Sequence, residues 1–343
     1  MKRTVLLVIL RVAKLTGLFA LARLLTAGDL RILCYHGAAL RDEHHFRPGL
    51  FMGKETFAAR MALLARQGYP VIALDIAVAA LPTGQWPRGA TIVTIDDGWF
   101  GTYRQMAPVL RAHGFPALLY IASYYLDKQT QVFNVAASYV LWRAGGRLLD
   151  LAEVADGISG RYDLADETQR ATAWHRLDEH AETLESAEAR QALFRRLCAA
   201  LDIDATTIEA ERLCAFMTLE EARELQASGI EIGLHSHRHR FPAESYAAAQ
   251  AEIEDNRRAL ALVGNAPLRH FCYPSGEYEQ HQLPWLAPLG IASATTTKRG
   301  FTRAGDSPYE LRRFLDSEQV SSLEFEAEMS GFFELIRRCG YAI

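Results

Sequence analysis

Thr91-Ile92-Val93-Thr94-Ile95-Asp96-Asp97-Gly98 is the stretch of sequence from which the fold is predicted. Its first five residues are all β-branched and either apolar or hydroxylated, which is typical of a buried strand. The strand ends in two adjacent carboxylates and a glycine. In α/β proteins ligands bind at the carboxyl ends of parallel strands, where neighbouring side chains point in different directions. One carboxylate is therefore placed to hold a metal while the other handles a proton. The alternative is that one caps the next helix and the other is solvated.

Length and composition set wide limits on function. The 343 residues are enough for a large core, half of them are apolar, and the net charge of −4 gives no indication of nucleic-acid binding. Five scattered cysteines argue against a disulfide framework and favour a reducing compartment. No Cys-x-x-Cys pair occurs, so a thiolate zinc site is not expected. This composition favours a cytoplasmic protein.

The first 30 residues differ from the rest of the chain. Every charged residue before Asp29 is basic, and the apolar runs 4–10 and 15–22 are too short to span a bilayer. The pattern predicts one or two helices on an anionic membrane surface, peripheral to the inner membrane of a bacterium. The alternatives are helices that pack on the domain, or an N-terminal anchor retained by a periplasmic protein. A signal peptide fits less well because Arg11 interrupts the apolar run.

From residue 31 to 343 we expect one domain in which short apolar runs alternate with helical patterns. The alternation predicts parallel βαβ units and an α/β fold. Strands are predicted at residues 31–36, 71–74, 91–95, 116–121, 230–234, 270–273 and 291–296. Residues 124–211 lack strand-like alternation and predict a helical insertion. Whether the insertion caps the site, binds a partner or lies on the membrane stays open.

A second cluster of candidate site residues, His235-Ser236-His237-Arg238-His239, follows the strand predicted at 230–234. His235 and His239 are four residues apart, so both can face one point. With the carboxylate of Asp97 they form a two-histidine, one-carboxylate set that suits catalytic Zn²⁺ or another divalent metal. A solvated basic loop is the alternative. The position of both clusters at strand ends favours a joint site.

A metal with open coordination positions lowers the pKa of bound water and polarises a carbonyl oxygen. Asp96, beside the ligand Asp97, is placed to accept a proton from such a water. An acid is also needed to protonate a departing amine. His36, at the end of the first predicted strand, is the candidate because a histidine can donate a proton near neutral pH. Its alternative interpretation is a hydrogen-bonded core histidine.

Thr94-Ile95-Asp96-Asp97-Gly98 and His235-Ser236-x-x-His239 resemble motifs of the polysaccharide deacetylases with the NodB homology domain, carbohydrate esterase family four. Members of that family carry T-F-D-D-G and H-[ST]-x-x-H in the same order. Phe271-Cys272-Tyr273-Pro274-Ser275-Gly276 resembles the third motif, F-R-P-P-Y-G, in its F-x-Y-P-x-G form. The resemblance covers about residues 31–320, outside the helical insertion.

The resemblance implies a distorted (β/α) barrel of about seven parallel strands. It assigns Asp97, His235 and His239 as ligands of a divalent metal, most often zinc, and Asp96 as the general base. The backbone N–H near Ser275 would help to hold the oxyanion.

Two departures from the family pattern are visible. Cys272 replaces the arginine that supports the base, and Arg269 or Arg313 is expected to take over that role. The late L-x-H motif, which brings the acid, is missing. His36, in a Tyr-His-Gly strand end that resembles the opening strand of the exopolysaccharide deacetylases, is its expected replacement.

The predicted function is that of a metal-dependent amidase that removes N-acetyl groups from amino sugars of a bacterial polysaccharide or lipid-linked saccharide. The basic apolar N-terminus favours a substrate held at the membrane. Aromatic residues near the strand ends are candidates for stacking on sugar rings, or alternatively part of the core: Trp99, Phe100, Tyr103 and Tyr273. The alternatives are a deacylase acting on a formyl group or a small-molecule amide, and a catalytically silent glycan-binding barrel.

Overall fold

The structure is a computed structural model that describes residues 3–126, 128 and 130–341. Its strands are β1 (Arg31–Tyr35), β2 (Gly37–Ala38), β3 (Phe51–Met52), β4 (Thr91–Ile95), β5 (Ala117–Ile121), β6 (Leu148–Asp150), β7 (Arg161–Asp163), β8 (Ile230–Leu234), β9 (His270–Cys272), β10 (Ser293–Thr295) and β11 (Phe314–Leu315). Its α-helices are α1 (Arg3–Leu15), α2 (Leu18–Leu25), α3 (Glu43–Phe46), α4 (Lys54–Arg66), α5 (Leu74–Ala80), α6 (Ala107–His113), α7 (Phe133–Arg143), α8 (Glu167–Glu182), α9 (Ala187–Ala200), α10 (Ala205–Ala210), α11 (Leu219–Ala227), α12 (Tyr246–Leu260), α13 (Leu283–Leu286), α14 (Ser322–Met329) and α15 (Phe332–Arg338).

Seven parallel strands form the central sheet in the order β10-β9-β8-β5-β4-β1-β11. All five residues of β1, β4 and β5 are buried, because helices and the sheet's own curvature cover both faces. The predicted distorted (β/α) barrel of about seven strands is confirmed. Because the strands are parallel, the ends of β1, β4, β8 and β9 bring their last residues to one edge of the sheet.

The segment 308–315 runs between the two edges of the curled sheet. Leu311 forms a bridge with Thr295 of β10, and β11 then pairs with β1. This segment therefore links β10, at one edge of the sheet, to β1 near the other edge. It carries Arg313 into the interior, where the side chain is 1% exposed.

One predicted strand position is wrong. In the stretch 71–74 only Val71 forms a bridge, to Thr91, and Leu74 already begins α5. The seventh strand of the sheet is instead β11, whose two residues are too few for a recognisable period. Phe51 and Met52 pair with β2 just before α4 begins.

The stretch 133–210 is mainly helical and contains α7 to α10, together with the antiparallel pair of β6 and β7. Tyr139, Leu177 and Phe194 of this stretch are buried in an apolar cluster that also includes Phe51 and Trp99. The boundaries 31–343 for the domain and 124–211 for an insertion stay predictions.

The helices α1 and α2 lie against α14 and α15 near the C-terminus. Leu10 and Ala13 of α1 are buried there, and Phe19 of α2 contacts Phe332 with 5.3 Å between ring centroids. Within the described residues no single helix is long and apolar enough to cross a membrane. The pair α1 and α2 together meets that requirement by length and composition, but the two are bent by 77°.

Candidate active site

Asp97 lies directly after β4 and adopts a positive φ of 78°, which turns its carboxylate toward the histidine loop. Its Oδ1 is 3.3 Å from Nε2 of His235 and 3.5 Å from Nε2 of His239. Its Oδ2 accepts a hydrogen bond of 2.7 Å from the indole Nε1 of Trp99. Burial favours the neutral acid, but the two histidines hold the pKa of Asp97 well below its usual range. The carboxylate is therefore ionised, with one oxygen fixed and the other facing the histidines.

His235 follows β8 and is held in one orientation by its neighbours. Its Nδ1 lies 2.8 Å from the carbonyl oxygen of Cys272, and its backbone N–H donates to Oδ1 of Asn256 in α12. A carbonyl can only accept, so Nδ1 carries a proton and Nε2 is the nitrogen that faces Asp97. This second contact is the usual way in which a metal-binding histidine is oriented.

The loop after His235 turns tightly enough to bring His239 back to it. Ser236 and His239 have φ values of 60° and 56°, and the rings of His235 and His239 lie 4.8 Å apart. The His239 side chain is 40% exposed. His237 points elsewhere and its Nδ1 lies 2.9 Å from Oγ of Ser123. Two of the three histidines therefore share one point, as the spacing predicts.

The donor set of Asp97, His235 and His239 fits a divalent metal. One ligand atom from each residue lies within 4.8 Å of the others. Two imidazoles and one carboxylate form a facial set that leaves coordination positions open, and the exposed side of His239 gives access to solvent. The chemistry of the donors is thus that of a catalytic rather than a closed structural site.

Asp96 is the other carboxylate of the pair, and it is almost completely buried. Its Oδ1 and Oδ2 each accept a hydrogen bond of 2.8 Å from Nη1 and Nη2 of Arg313. Burial by itself would raise the pKa of Asp96, but the charge and hydrogen bonds of Arg313 outweigh it and lower the pKa to about 2. Asp96 is therefore ionised throughout the neutral range.

Arg269 and Arg313 were the two alternative candidates for supporting Asp96, and Arg313 is the one that contacts it. Besides Asp96, its guanidinium contacts Oγ1 of Thr94, the carbonyl oxygen of Thr296 and Sγ of Cys272. Arg269 is not in the site. It precedes β9, at the amino end of the strand, and pairs there with Asp75 at 2.9 and 2.6 Å.

Two buried thiols complete the surroundings of Asp96. Sγ of Cys272 lies 3.4 Å and Sγ of Cys34 lies 3.5 Å from Oδ2 of Asp96. Burial raises the pKa of the Cys34 thiol well above its ordinary value, so it stays a weak S–H donor. Cys272 thus leaves room for a guanidinium that arrives from another strand.

His36 follows β1 and lies beside Asp96. Its Nε2 is 3.9 Å from Oδ2 of Asp96, and a quarter of its side chain is exposed. The exposure does not fit the alternative of an enclosed core histidine. The ring is within reach of both the buried carboxylate and solvent.

Ser275 lies in the turn after β9 with a φ of 57°. Among the described residues its backbone N–H has no hydrogen-bond acceptor. Ser275 and His239 line the same cavity, whose volume is about 500 Å³. An unused N–H beside the histidine loop has the chemistry of an oxyanion donor.

The sugar-stacking role expected of Trp99 and Tyr273 does not fit their burial, 4% and 1% exposed respectively. Trp99 is enclosed by Phe51 and Phe216 at 5.1 and 4.6 Å, and its contribution to the site is the hydrogen bond to Asp97. The hydroxyl of Tyr273 donates to the carbonyl oxygen of Tyr309. The Asp-x-Trp spacing was the available sequence signal for Trp99, but it does not reveal where the indole points.

Phe100 and Tyr103 are only half-buried, and their rings stack 6.2 Å apart. The guanidinium of Arg212 lies over Phe100 at 3.7 Å, and the hydroxyl of Tyr103 donates to Glu224. Their outer faces therefore already have protein partners.

Comparison with known proteins defines the class to which this fold and site correspond. Residues 168–294 match the family model described as polysaccharide deacetylase. The match includes His235, His239 and the turn at Ser275 but not the Asp96-Asp97 pair. No curated protein matches the chain.

Solved structures show the same fold. The Streptococcus pyogenes deacetylase PplD, in complex with acetate, has a TM-score of 0.57 and 16% identity over 88% of this chain and 98% of its own. IcaB from Ammonifex degensii has a TM-score of 0.54 and 17% identity over 88% and 97%. A polysaccharide deacetylase from Bacillus cereus has a TM-score of 0.55 and 13% identity over 88% and 69%.

Residues 168–294 therefore resemble a polysaccharide deacetylase domain, and the chain shares its fold with the solved deacetylase structures. The predicted resemblance to that family is confirmed, and it supports a hydrolase that acts on amide bonds.

Proposed function

We propose that this protein is a metal-dependent amidase that removes N-acetyl groups from amino sugars of a bacterial polysaccharide or lipid-linked saccharide. The observation that carries the proposal is the pair of adjacent carboxylates with divided roles. Asp97 faces His235 and His239, whereas Asp96 is held ionised by Arg313. A deacetylase needs both a metal ligand and a proton acceptor at this point.

Asp97, His235 and His239 would hold the divalent metal, for which Zn²⁺ is the expected ion. When bound, such an ion polarises the amide carbonyl and lowers the pKa of a water molecule. The carbonyl oxygen of Cys272 and the indole of Trp99 orient two of these ligands. These contacts fix the donor atoms before a metal arrives and so reduce the reorganisation that binding requires.

Asp96 would accept the proton of the attacking water. Because Arg313 keeps it ionised, the carboxylate is available as an acceptor at any neutral pH. Oδ2 is the oxygen nearer to His36, at 3.9 Å. His36 would donate a proton to the departing amine nitrogen, since it is partly exposed and lies on the same side of the site.

The N–H of Ser275 would donate to the oxygen of the tetrahedral intermediate. It has no competing acceptor among the described residues and it borders the cavity that also contains His239. A preorganised backbone donor of this kind stabilises charge that develops only in the transition state.

The acyl group and the carrier of the sugar are the finer parts of this proposal. A formyl group or a small-molecule amide would use the same residues, whereas a silent glycan-binding barrel would have no need of the base Asp96. The retention of the Asp96–Arg313 pair favours a catalyst over a binder. A location on the cytoplasmic side is supported by cysteines that are all free thiols.

The test is acetate release from N-acetylated glycans and lipid-linked amino sugars, with the zinc-loaded protein. Asp96→Asn and His235→Ala are expected to abolish release, whereas His237→Ala, from the same loop but outside the ligand set, is expected to retain it. Acetate release by wild type that is abolished in Asp96→Asn and in His235→Ala supports the amidase. Bound zinc without release from any substrate contradicts the acetyl specificity. If wild type neither binds zinc nor releases acetate, the assignment moves to the silent barrel.

A further inference from the structure

The apolar sector of helix α1 is wider than the side that packs on the domain. On the inner side Leu10 and Ala13 are buried against Ala327 and Phe333. On the outer side the side chains of four residues are 45–54% exposed: Val5, Val8, Ile9 and Val12. A helix that only packs on its own domain needs one apolar side. The outer side of α1 therefore lacks an explanation in the fold.

The outer side of α1 continues through the bend into α2. We define the N-terminal apolar face as the exposed residues Val5, Val8, Ile9, Val12, Leu15, Leu18, Leu21, Leu24 and Leu25. These nine are the majority of the fourteen large hydrophobic side chains that are exposed in the described part of the chain. Exposed apolar residues of a soluble monomer are normally scattered, and a concentration of them marks an interaction surface.

A groove between α2 and α15 extends this face. It has a volume of about 250 Å³ and is lined almost entirely by apolar side chains, among them Leu21, Phe332, Ile336 and Tyr341. The Tyr341 side chain is 68% exposed at the edge of the groove. A tyrosine with an apolar ring and a polar hydroxyl is typical of the boundary between lipid and water.

The charges around the face are basic. No acidic residue precedes Asp29 in the chain. Arg3 and Lys14 flank α1 and reach back to Glu324 and Glu326, which neutralises the acids closest to the face. Arg11 is exposed and has no carboxylate partner among the described residues. The surface thus offers hydrocarbon in its middle and positive charge at its rim.

We propose that the N-terminal apolar face docks on a membrane that contains anionic lipids, with α1 and α2 lying in the plane of the interface. Apolar burial and attraction to anionic headgroups are the two forces that hold such helices. A second copy of the chain is the less suitable occupant, because a two-fold contact through this face would bring Arg11 close to its own symmetry mate. The 77° bend also suits a surface position better than a straight span.

The experiment is flotation of the purified full chain with two kinds of vesicle, a phosphatidylglycerol–phosphatidylcholine mixture and pure phosphatidylcholine. The double variant Val8→Gln, Leu24→Gln removes two side chains that are 53% and 66% exposed. Its matched control, Ile76→Gln, Leu262→Gln, removes two that are each 58% exposed but lie outside the face. All four sites are on the surface, so circular dichroism and thermal unfolding should show an intact fold.

We expect wild type and the control to float with the mixed vesicles and much less with pure phosphatidylcholine. The face variant should bind roughly tenfold more weakly or worse, and Arg11→Gln roughly fivefold more weakly. Lack of flotation by wild type, or equal flotation by the face variant, overturns the proposal. The proposal is also overturned if light scattering without lipid shows a dimer that dissociates in the face variant only. None of these readouts depends on deacetylase activity.

Discussion

Two arginine–aspartate pairs lie at opposite ends of the same sheet, and each has a histidine beside it. At the carboxyl ends, Arg313 pairs with Asp96, and both side chains are 3% exposed or less. At the amino ends, Arg269 pairs with Asp75, and these side chains are 46% and 37% exposed. The distances are alike, at 2.6–2.9 Å, so hydrogen-bond geometry does not distinguish the two pairs.

Burial is the difference that matters. Water screens the exposed pair, so removing one partner leaves the other as an ordinary solvated charge. The buried pair holds two charges where neither is stable alone, so each side chain fixes the ionisation of the other. This explains how the buried pair keeps a carboxylate ionised beside the candidate metal ligands, whereas the exposed pair joins α5 to the start of β9.

The largest effect is expected from breaking the buried pair with Arg313→Met. An uncompensated Asp96 should lower the free energy of unfolding by about 3–5 kcal/mol and abolish acetate release. Arg313→Lys keeps the charge but loses the paired contact to both oxygens, so it should fold and lose most activity. Denaturant unfolding and acetate release measure the two effects. A methionine variant as stable as wild type would mean that Asp96 is not held ionised by Arg313.

The second largest effect is expected from a substitution at Trp99, which orients the candidate metal ligand Asp97. Trp99→Phe keeps an aromatic ring but removes the hydrogen bond to Oδ2 of Asp97. Zinc affinity should fall about 10- to 100-fold, as measured by competition with a chromophoric chelator. Trp86→Phe is the matched control, since its Nε1 donates to the carbonyl oxygen of Gly28, away from the site. Equal zinc affinity for both variants would assign Trp99 to packing alone.

A third prediction concerns the amino end, where Glu231 is a largely buried carboxyl 3.4 Å from Nε2 of His270. Burial, followed by the nearby charge of Asp75, raises the pKa of Glu231 to about 7 from 4.5. A raised carboxyl pKa contributes stability that is present below pH 4.5 and lost as the pH rises through 7. Wild type should therefore lose about 3 kcal/mol across this window relative to Glu231→Gln. Parallel pH profiles of unfolding for the two proteins would contradict it.

The sequence was sufficient for the local parts of the site and insufficient for the parts that depend on closure of the sheet. Asp96, Asp97, His235 and His239 each follow a strand with a clear apolar run, so their common edge could be predicted. The choice between Arg269 and Arg313 could not, because it depends on which strand completes the sheet. That strand, β11, has only two residues.

Side-chain direction was the second kind of missing information. Aromatic residues at strand ends are equally typical of sugar platforms and of core, and only packing decides between them. Trp99 is enclosed by two other rings, and its indole N–H donates a hydrogen bond to Asp97. The backbone of residues 71–74 was also ambiguous from the sequence. An apolar run of four residues fits a strand, but it fits a bridge followed by a helix equally well.

The smallest effect is expected from breaking the exposed pair with Arg269→Gln. Its free energy of unfolding should change by less than about 1 kcal/mol, because solvent screens both partners. Acetate release should stay at the wild-type level, since Arg269 lies at the opposite end of β9 from Cys272 and His235. Measured beside Arg313→Met, the variant separates burial from hydrogen-bond geometry as the source of the difference. A large loss of activity in Arg269→Gln would show that the amino end of the sheet influences the site, and that exposure alone does not predict which arginine the reaction needs.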